Sequence, residues 1–483
     1  MTVDYDVVII GGSLAGHDAA LAASKLSATV ALVQPQVDYG FTHYHVLTEI
    51  GKLAQKLNDA AGFGIHATHT NTSEECHISM ARQEAMLYAQ CVASNLQEQH
   101  SPAILAAQGV DVIVGSGQFQ SSPQLAFAVN NRLLRARTYL LASGSRPEIP
   151  EIEGLQATGY LTLSNIWQSL QRATLPKNWV IIGGIPQSIE IAQTLVRFGC
   201  NVTLIVKHPY VLPYLDSEIA TLLQAQLEVE GVRVLTKKPV TQVRVIENKK
   251  WIQAGDKAIE TDEILVATGQ QPNIESLNLA AVGVKWYRRS LVVNDKLQTT
   301  NHRIYACGDV IGGYDFANIA NYEAKIALNN ALFFPRLRVN YRSIPWAIFS
   351  VPMLAQVGLT EAQAKRQFRR DEVLVLRQYF KTVAAAQLRG ETTGICKLIV
   401  LRNGEILGAS ILGAEAGELI NLIALAMSQK IKVKHLANLS PVSPSFSEIL
   451  EQTAKEWSKQ KLDSNIALQE FLEGFFHFRR NWS

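Results

Sequence analysis

Residues 6–16 read DVVIIGGSLAG, a short apolar run that ends in a glycine-rich turn. An alanine-rich stretch with helical character follows as far as Lys25, and the stretch Ala28 to Val33 has the composition of a second strand. Strand, glycine turn, helix and strand within about 30 residues form a βαβ unit, whose helix N-terminus can receive the pyrophosphate of a dinucleotide. The sequence therefore predicts a dinucleotide-binding fold at its start.

The same order recurs from Trp179 to Val206, again with two glycines at the turn. A similar strand-to-turn segment closes each unit, since residues 142–147 read ASGSRP and residues 267–272 read ATGQQP. We interpret this repetition as a duplication. Residues 301–309 read NHRIYACGD and place Asp309 just after a strand and a glycine, where its carboxylate could meet the ribityl chain of a flavin.

The composition is that of a large globular protein. The chain has 483 residues, which suggests about three domains. With 47% hydrophobic and 18% charged residues, disordered, collagen-like and coiled-coil classes are excluded. The formal charge of +3 gives no sign of nucleic-acid binding.

The cysteines and the chain ends also limit the function classes. The five cysteines show no CxxC or metal-type spacing, so we predict neither a disulfide framework nor a metal site. No targeting or membrane-spanning segment is visible, and we expect a cytoplasmic protein. The cysteines are Cys76, Cys91, Cys200, Cys307 and Cys396.

The order of these motifs resembles the flavoproteins of the pyridine nucleotide disulfide oxidoreductase family, such as glutathione reductase, dihydrolipoamide dehydrogenase and mercuric reductase. The likeness covers roughly residues 4–452 and includes a dimerisation domain. It implies an α/β fold with two Rossmann-like dinucleotide-binding domains, for FAD and NAD(P), and a C-terminal α+β dimerisation domain of a homodimer. The implied boundaries are 1–150 and 268–334 for the FAD domain, 151–267 for the NAD(P) domain, 335–452 for the dimerisation domain and 453–483 for an extension.

By this resemblance the first βαβ unit binds FAD, with two departures from the family pattern. Ser13 replaces the second glycine, and its hydroxyl could donate to phosphate. Gln34 replaces the ribose-binding acid, and its carbonyl could accept from a ribose hydroxyl. The other residues of the predicted flavin site are Gly11, Gly12, Gly16, Thr42, Gln118, Gly144, Asp309 and Ala317.

The redox thiols of the family are missing. The family pattern is CxxxxC followed four residues later by Lys, and here the same register holds His43, Thr48 and Lys52. The family's C-terminal HPTxxE segment, which supplies a catalytic base, reads SPSFSE from Ser443 to Glu448. Because imidazole and hydroxyl groups form no mixed disulfide, we expect no disulfide reduction.

The residues expected at the nicotinamide site match the family pattern only in part. Lys52 matches the family lysine beside the flavin, and Glu190 matches the carboxylate that pairs with it. Ile185 stands where the second glycine would let pyrophosphate approach, so we expect weakened coenzyme binding, whereas Ser188 is a harmless change. Gly183 and Gly269 complete this part of the predicted site.

Lys207 and His208 follow the second strand of the second unit, where an acid would bind the NAD ribose. Loss of the acid and gain of a cation favour a 2′-phosphate, so we expect NADPH rather than NADH. The simpler interpretation, two solvated residues after a strand, stays open.

We predict an FAD-dependent oxidoreductase that takes hydride from NAD(P)H and reduces a small-molecule acceptor other than a disulfide. A quinone or similar aromatic oxidant is the leading class of acceptor. His43 and His45 are candidates for proton delivery, although packing would explain them equally well. The alternative is an FAD-binding protein with little or no turnover, in an assembly or regulatory role.

The extension after residue 452 has an apolar face at helical spacing. We expect one helix over residues 453–483 that packs on the protein's own dimer, while a membrane surface or a partner protein remains an alternative. The face consists of Trp457, Leu468, Phe471, Leu472, Phe475 and Trp482.

Overall fold

The valine and isoleucine run near the start of the chain forms strand β1 (Tyr5–Ile10) in the computed structural model. Helix α1 (Leu14–Lys25) leads from it to β2 (Val30–Gln34), which pairs with β1 in parallel. The first predicted βαβ unit is therefore confirmed. The sheet has the order β20-β7-β1-β2-β3, where β3 is Val110–Val114, β7 is Ala136–Leu141 and β20 is Ile304–Ala306.

The second predicted unit repeats this arrangement. Strand β10 (Asn178–Ile182), helix α7 (Pro186–Arg197) and strand β11 (Asn201–Val206) follow one another, and the two strands pair in parallel. Both central strands are buried on each face, as parallel sheets require. Strands β16 (Glu263–Val266) and β9 (Leu161–Thr162) extend the sheet on the other side of β10.

The chain divides into two compact units that are coarser than the domains predicted from the sequence. Unit 1 joins Met1–Lys207 and Lys237–Val339, and unit 2 joins His208–Thr236 and Asn340–Ser483. The predicted domain boundaries stay predictions.

The structure describes residues 3–35, 40–60, 81–172, 174–288, 290–313, 315–463 and 466–482, without the side chains of residues 40–44, 58, 59 and 82.

The other elements of unit 1 surround its two parallel sheets. The helices are α2 (Gly40–Asp59), α3 (Arg82–Glu98), α4 (Pro102–Ala107), α5 (Leu155–Thr158), α6 (Ile166–Leu170) and α9 (Ala317–Leu332), with short 3₁₀ turns at Glu275–Leu277, Leu279–Val282 and Gly308–Ile311. The antiparallel groups are β4 (Gly117–Gln120), β5 (Ala126–Val129) and β6 (Arg132–Leu134); β8 (Ser145–Pro147) and β17 (Gln270–Pro272); β13 (Val240–Ile246), β14 (Lys249–Ala254) and β15 (Lys257–Thr261); and β18 (Trp286–Tyr287) and β19 (Ser290–Leu291).

Unit 2 is built on an antiparallel sheet of order β21-β22-β25-β24-β23. Its strands are β21 (Trp346–Ile348), β22 (Leu354–Gly358), β23 (Val373–Tyr379), β24 (Ile395–Leu401) and β25 (Ile406–Leu412). Its other elements are α8 (Ser217–Val229), β12 (Arg233–Thr236), α10 (Glu361–Gln367), α11 (Ala384–Leu388), α12 (Ala416–Ser428), α13 (Val433–Ala437), α14 (Glu448–Asp463), α15 (Ile466–Arg480) and 3₁₀ turns at Tyr341–Ser343 and Phe380–Thr382.

The C-terminal extension is helical over its described residues. Residues 453–463 belong to α14 and residues 466–480 to α15, and residues 464 and 465 lie outside the described part of the chain. Trp457 packs against the core of unit 2, whereas Phe471 and Trp482 are 66% and 76% exposed in the single chain. The predicted apolar face is therefore divided between a buried part and an exposed part.

A buried charge network holds α8 against the sheet of unit 2. The side chain of Lys397 on β24 is 1% exposed, and its Nζ lies 2.7 Å from a carboxylate oxygen of Asp216 and of Glu361 and 3.1 Å from one of Glu218. Burial alone would raise the pKa of Glu361, but Lys365 and Lys397 lower it to about 2. Its stabilising contribution is therefore present above about pH 4.5 and disappears as the pH falls toward 2.

The Lys397→Met variant should be less stable than the wild type by about 3 to 5 kcal/mol, because it keeps the apolar stem and leaves three carboxylates without their shared cation. Urea unfolding at pH 7 measures this difference. Lys365→Met is the matched control, since Lys365 is 39% exposed and pairs with Glu361 alone in the network, and it should cost below about 1 kcal/mol. Equal costs for both variants would contradict the assignment.

Candidate active site

The two glycine turns place a backbone carbonyl where a side chain would begin. At Gly11, with φ +132°, a Cβ atom would lie 2.0 Å from the carbonyl oxygen of Ala142. At Gly183, with φ +123°, it would lie 1.9 Å from that of Ala267. Only glycine fits either position. The duplication inferred from the sequence is thus repeated in atomic detail.

The N-terminus of α1 keeps a polar cap. Ser13 is its N-cap residue, and its Oγ accepts from the backbone N–H of Gly16 at 3.2 Å and donates to the carbonyl oxygen of Ala142, also at 3.2 Å. The expected donation of this hydroxyl to phosphate therefore competes with a contact inside the protein. A phosphate at this turn would find the N–H groups at the start of α1.

Gln34 has a partner that the sequence did not indicate. Its Oε1 lies 2.6 Å from Nε2 of His17, and both side chains are buried. The His17 ring stacks on His100 with centroids 5.7 Å apart. One lone pair of the Gln34 carbonyl is thus taken, while its amide nitrogen remains a donor for a ribose hydroxyl.

Asp309 belongs to a chain of polar side chains. The Oγ of Ser145 donates to its Oδ2 at 3.2 Å, and its carboxyl is hydrogen-bonded to that of Asp315. The Nε2 of Gln187, on α7, donates to Oδ2 of Asp315 at 3.2 Å. Burial and the charge of Asp309 raise the pKa of Asp315 to about 7.

Helix α2 carries the next group of side chains. Lys52 donates to Oε1 of Glu49 at 2.7 Å, and Nδ1 of His45 lies 3.8 Å from Oε2 of the buried Glu190. Burial, followed by the positive charge of Lys52, lowers the pKa of His45 to about 4. His45 is therefore neutral at pH 7, so it can accept a proton but has no extra one to deliver.

Thr48 joins α2 to α7. Its side chain is 1% exposed, and its Oγ1 lies 3.0 Å from Oγ1 of Thr194, which donates to the carbonyl oxygen of Glu190 at 2.8 Å. The hydroxyl at this position thus serves helix packing. The cysteines of the described residues lie elsewhere and form no disulfide; they are Cys91, Cys200, Cys307 and Cys396.

The N-terminus of α7 has fewer donors than that of α1. Ile185 is its N-cap, with extended backbone at φ −90°, and Pro186 follows at the first helical position without an N–H group. The N–H and the Oγ of Ser188 both donate to the carbonyl oxygen of Ile185, at 3.0 and 2.6 Å. A pyrophosphate would find little free backbone here.

The chain matches known sequence families over most of its length. The profile of the pyridine nucleotide-disulphide oxidoreductase family covers residues 5–324, and that of the dimerisation domain of the same family covers residues 344–454. The chain belongs to this family. It is accordingly an FAD-dependent NAD(P)H oxidoreductase with a homodimerisation domain.

Individual relatives agree with this assignment. A mercuric reductase of Staphylococcus aureus is 30% identical over 449 residues, which are 90% of this chain and 79% of the relative. A dihydrolipoyl dehydrogenase of Synechocystis is 29% identical over 477 residues, and the alignment covers 94% of this chain and 98% of the relative. Among solved structures, the chain is similar to RclA, an HOCl-induced flavoprotein disulfide reductase of Escherichia coli. The TM-score is 0.78 at 26% identity, and the match covers 93% of this chain and 99% of the RclA chain.

The first dinucleotide fold fits the flavin that this family uses. The cradle at Gly11 and Gly16 leaves no space for side chains, since a Cβ on Gly16 would lie 2.5 Å from the carbonyl oxygen of Gly11. Two buried polar atoms near it, Oγ of Ser143 and Oδ1 of Asn321, have no hydrogen-bond partner among the described residues. Such atoms are available to a polar ligand.

The remaining predicted site residues are placed as follows. Gly144 and Gly269 have positive φ angles of +68° and +138°, as turns of glycine allow. The side chains of Thr42 and His43 lie outside the described residues. Gly12 is buried behind the first turn, while Gln118 on β4, Ala317 at the start of α9, and Lys207 and His208 after β11 are exposed.

The sequence interpretation missed His17, Gln187 and Asp315. His17 directly follows the last glycine of the first turn, and Asp315 lies six residues after Asp309, so position alone could have drawn attention to both. No local pattern points to Gln187. Glu448 also has a structural role, since its Oε1 accepts from the backbone N–H of Ser445 at 3.0 Å beside the start of α14.

The described residues contain no group of three or more His, Cys, Asp or Glu side chains that could hold a metal ion. Within the same residues, no helix is long and apolar enough to cross a membrane.

The Gly11→Ala variant should lose FAD and stability together, because its Cβ would overlap the carbonyl oxygen of Ala142. Flavin absorbance per protein and the melting temperature measure both effects. Gly199→Ala is the control: φ there is +81° but nothing lies within 4 Å of the new Cβ, so only left-handed strain of about 1–2 kcal/mol is added. A Gly11→Ala protein that keeps its flavin would contradict the site.

Proposed function

We propose that this protein passes electrons from NADPH, through FAD, to an acceptor that is not a disulfide. The observation that carries this proposal is Thr48, which occupies the second thiol position of the family pattern and has its hydroxyl bonded to Thr194. The other relay positions hold His43 and Ser443. None of these groups can form the mixed disulfide that the family reaction needs.

A quinone or similar small aromatic oxidant is the acceptor that we propose. Bound FAD supplies the chemistry of accepting a hydride and passing its electrons on. The imidazole of His45 is neutral at pH 7 and 34% exposed, with Nδ1 toward Glu190. Its other ring nitrogen then carries a lone pair and can accept a hydrogen bond from a hydroxyl group of the reduced acceptor.

NADPH is the coenzyme that we propose, because Lys207 and His208 end β11 where an acid would bind the NAD ribose. We also propose a cytoplasmic location, which suits the buried cysteines Cys200, Cys307 and Cys396, none of which forms a disulfide among the described residues.

A second candidate function rests on the N-terminus of α7. Ile185, Pro186 and the bonded N–H of Ser188 leave few donors for a pyrophosphate. These features favour a flavin-binding protein with little turnover, in an assembly or regulatory role.

Anaerobic mixing of the purified holoprotein with NADPH distinguishes the two candidates. We expect rapid loss of the oxidised flavin absorbance, and its return on adding a soluble naphthoquinone but not oxidised glutathione, oxidised lipoamide or Hg²⁺. Lys207→Ala should slow the bleaching by NADPH and leave that by NADH unchanged. An unchanged flavin spectrum with both coenzymes would establish the second candidate, and turnover of a disulfide would refute the first.

The C-terminal helix α15 has an aromatic stripe that is exposed in the single chain. We propose that the second copy of this chain covers it. Phe471 stacks on Phe475 and Phe478 packs edge-on against Trp482, so the stripe is already ordered. The helix begins shortly after the matched dimerisation domain, which ends at residue 454. Two Glu and two Arg residues in α15 cancel in charge, which gives little attraction to anionic lipid.

Deleting residues 466–483 should weaken the dimer, because each buried phenylalanine contributes on the order of 2 kcal/mol. Sedimentation at dilute concentration and the melting temperature measure the loss. Phe471→Ser with Phe475→Ser should reproduce it, and Glu470→Ser with Glu473→Ser is a control that keeps the aromatic stripe. Unchanged dimer stability with reduced co-sedimentation on liposomes would instead assign α15 to a membrane surface.

A further inference from the structure

A chain of hydrogen bonds connects the two dinucleotide folds of unit 1. It runs from Ser145 to Asp309, from Asp309 to Asp315, and from Asp315 to Gln187 at the second helical position of α7. The first three residues lie in the predicted flavin part of unit 1, and Gln187 belongs to the fold that would hold the pyridine nucleotide. Asp315 is therefore the contact between the carboxylate expected at the ribityl chain and the neighbouring fold.

The contact between two carboxyl groups requires a proton. If both were ionised, neither could donate, and two negative charges would lie side by side. Their other hydrogen-bonding side chains, Ser145 and Gln187, are neutral. Among the described residues, no cation contributes to the electrostatics of either carboxyl.

The charges packed behind Asp309 are also negative. Glu323 on α9 accepts from the backbone N–H of Gly308 at 2.6 Å. Burial, then the charges of Glu323 and Asp309, raise the pKa of the Cys307 thiol, which keeps it neutral. Negative surroundings disfavour a second ionisation, in agreement with the pKa of about 7 for Asp315.

Gln187 shows that the link is oriented. Its side chain is 4% exposed, with Nε2 donating to Asp315, and its Oε1 has no hydrogen-bond partner among the described residues. The hydrogen bond to Asp315 is therefore the one that fixes this buried amide among the described residues. One proton satisfies the pair: Asp315 accepts from Gln187 with one oxygen and shares the proton with Asp309 through the other.

We propose that Asp315 is a positioning residue for the flavin: the one proton that it shares with Asp309 keeps the Asp309 carboxyl oriented toward the ribityl chain while Asp315 is tied to Gln187. Loss of that proton turns the link into a repulsion and releases the flavin. This inference rests on the flavin site described above, and does not depend on which acceptor the enzyme uses.

The release of FAD as a function of pH tests this role without any turnover. We expect the dissociation rate of FAD, followed by flavin fluorescence from pH 5.5 to 9, to rise with a midpoint at or above pH 7. Because bound flavin buries the pair further, affinity should fall about tenfold for each unit by which binding raises the pKa of the pair. A wild-type rate that does not vary with pH would overturn the proposal without any variant.

The Asp315→Asn variant should retain FAD with no such pH dependence, because an amide can donate to Asp309 and accept from Gln187 at every pH. Asp371→Asn is the matched control, since Asp371 is 68% exposed in unit 2, and should behave as wild type. An Asp315→Asn protein with the wild-type pH dependence overturns the proposal.

The Asp309→Asn variant separates this proposal from the assignment of the flavin site. It should release FAD faster at every pH. If its FAD dissociation equals that of the wild type at every pH, the assignment of Asp309 to the flavin is wrong and the proposal is overturned with it.

Discussion

Two backbone carbonyl oxygens occupy the positions where side chains at Gly11 and Gly183 would have to start. This close approach fixes where β1 and β10 end relative to their neighbours β7 and β16, with which they pair in parallel. It also fixes where α1 and α7 begin. The turns after β7 and β16 are thereby brought beside the helix N-termini, which is the geometry that a dinucleotide requires. The two folds share this constraint and differ in what they add to it.

The difference begins at one residue of each turn. Ser13 and Ile185 are both N-caps in extended backbone, with φ angles of −71° and −90°, so neither position requires glycine for its conformation. What changes is the group presented to a phosphate: a hydroxyl at Ser13, and a branched apolar side chain followed by Pro186 at the second turn. The first fold has kept its anion-binding chemistry, while the second offers fewer donors. From this asymmetry we expect the pyridine nucleotide, rather than the flavin, to be the more weakly bound of the two.

The sequence predicted what depends on neighbours along the chain. Helix α1 ends at Lys25 as expected, because the apolar strand, the glycine turn and the alanine-rich helix are local patterns. The contact between Gln187 and Asp315 joins residues 128 positions apart, and no local pattern encodes it.

The pKa values of two side chains, His45 and Asp315, are shifted in opposite directions. His45 is a candidate for proton delivery from its position in the sequence, and burial, followed by the charge of Lys52, lowers its pKa to about 4. Burial raises the pKa of both Asp309 and Asp315, that of Asp315 to about 7, so this pair changes its charge near neutral pH. The proton that the two carboxyls share lies on the flavin side of the site, and not at the surface of α2. At neutral pH His45 would have to take up a proton before it could deliver one, whereas in our proposal the proton shared by Asp309 and Asp315 maintains the geometry of the flavin site.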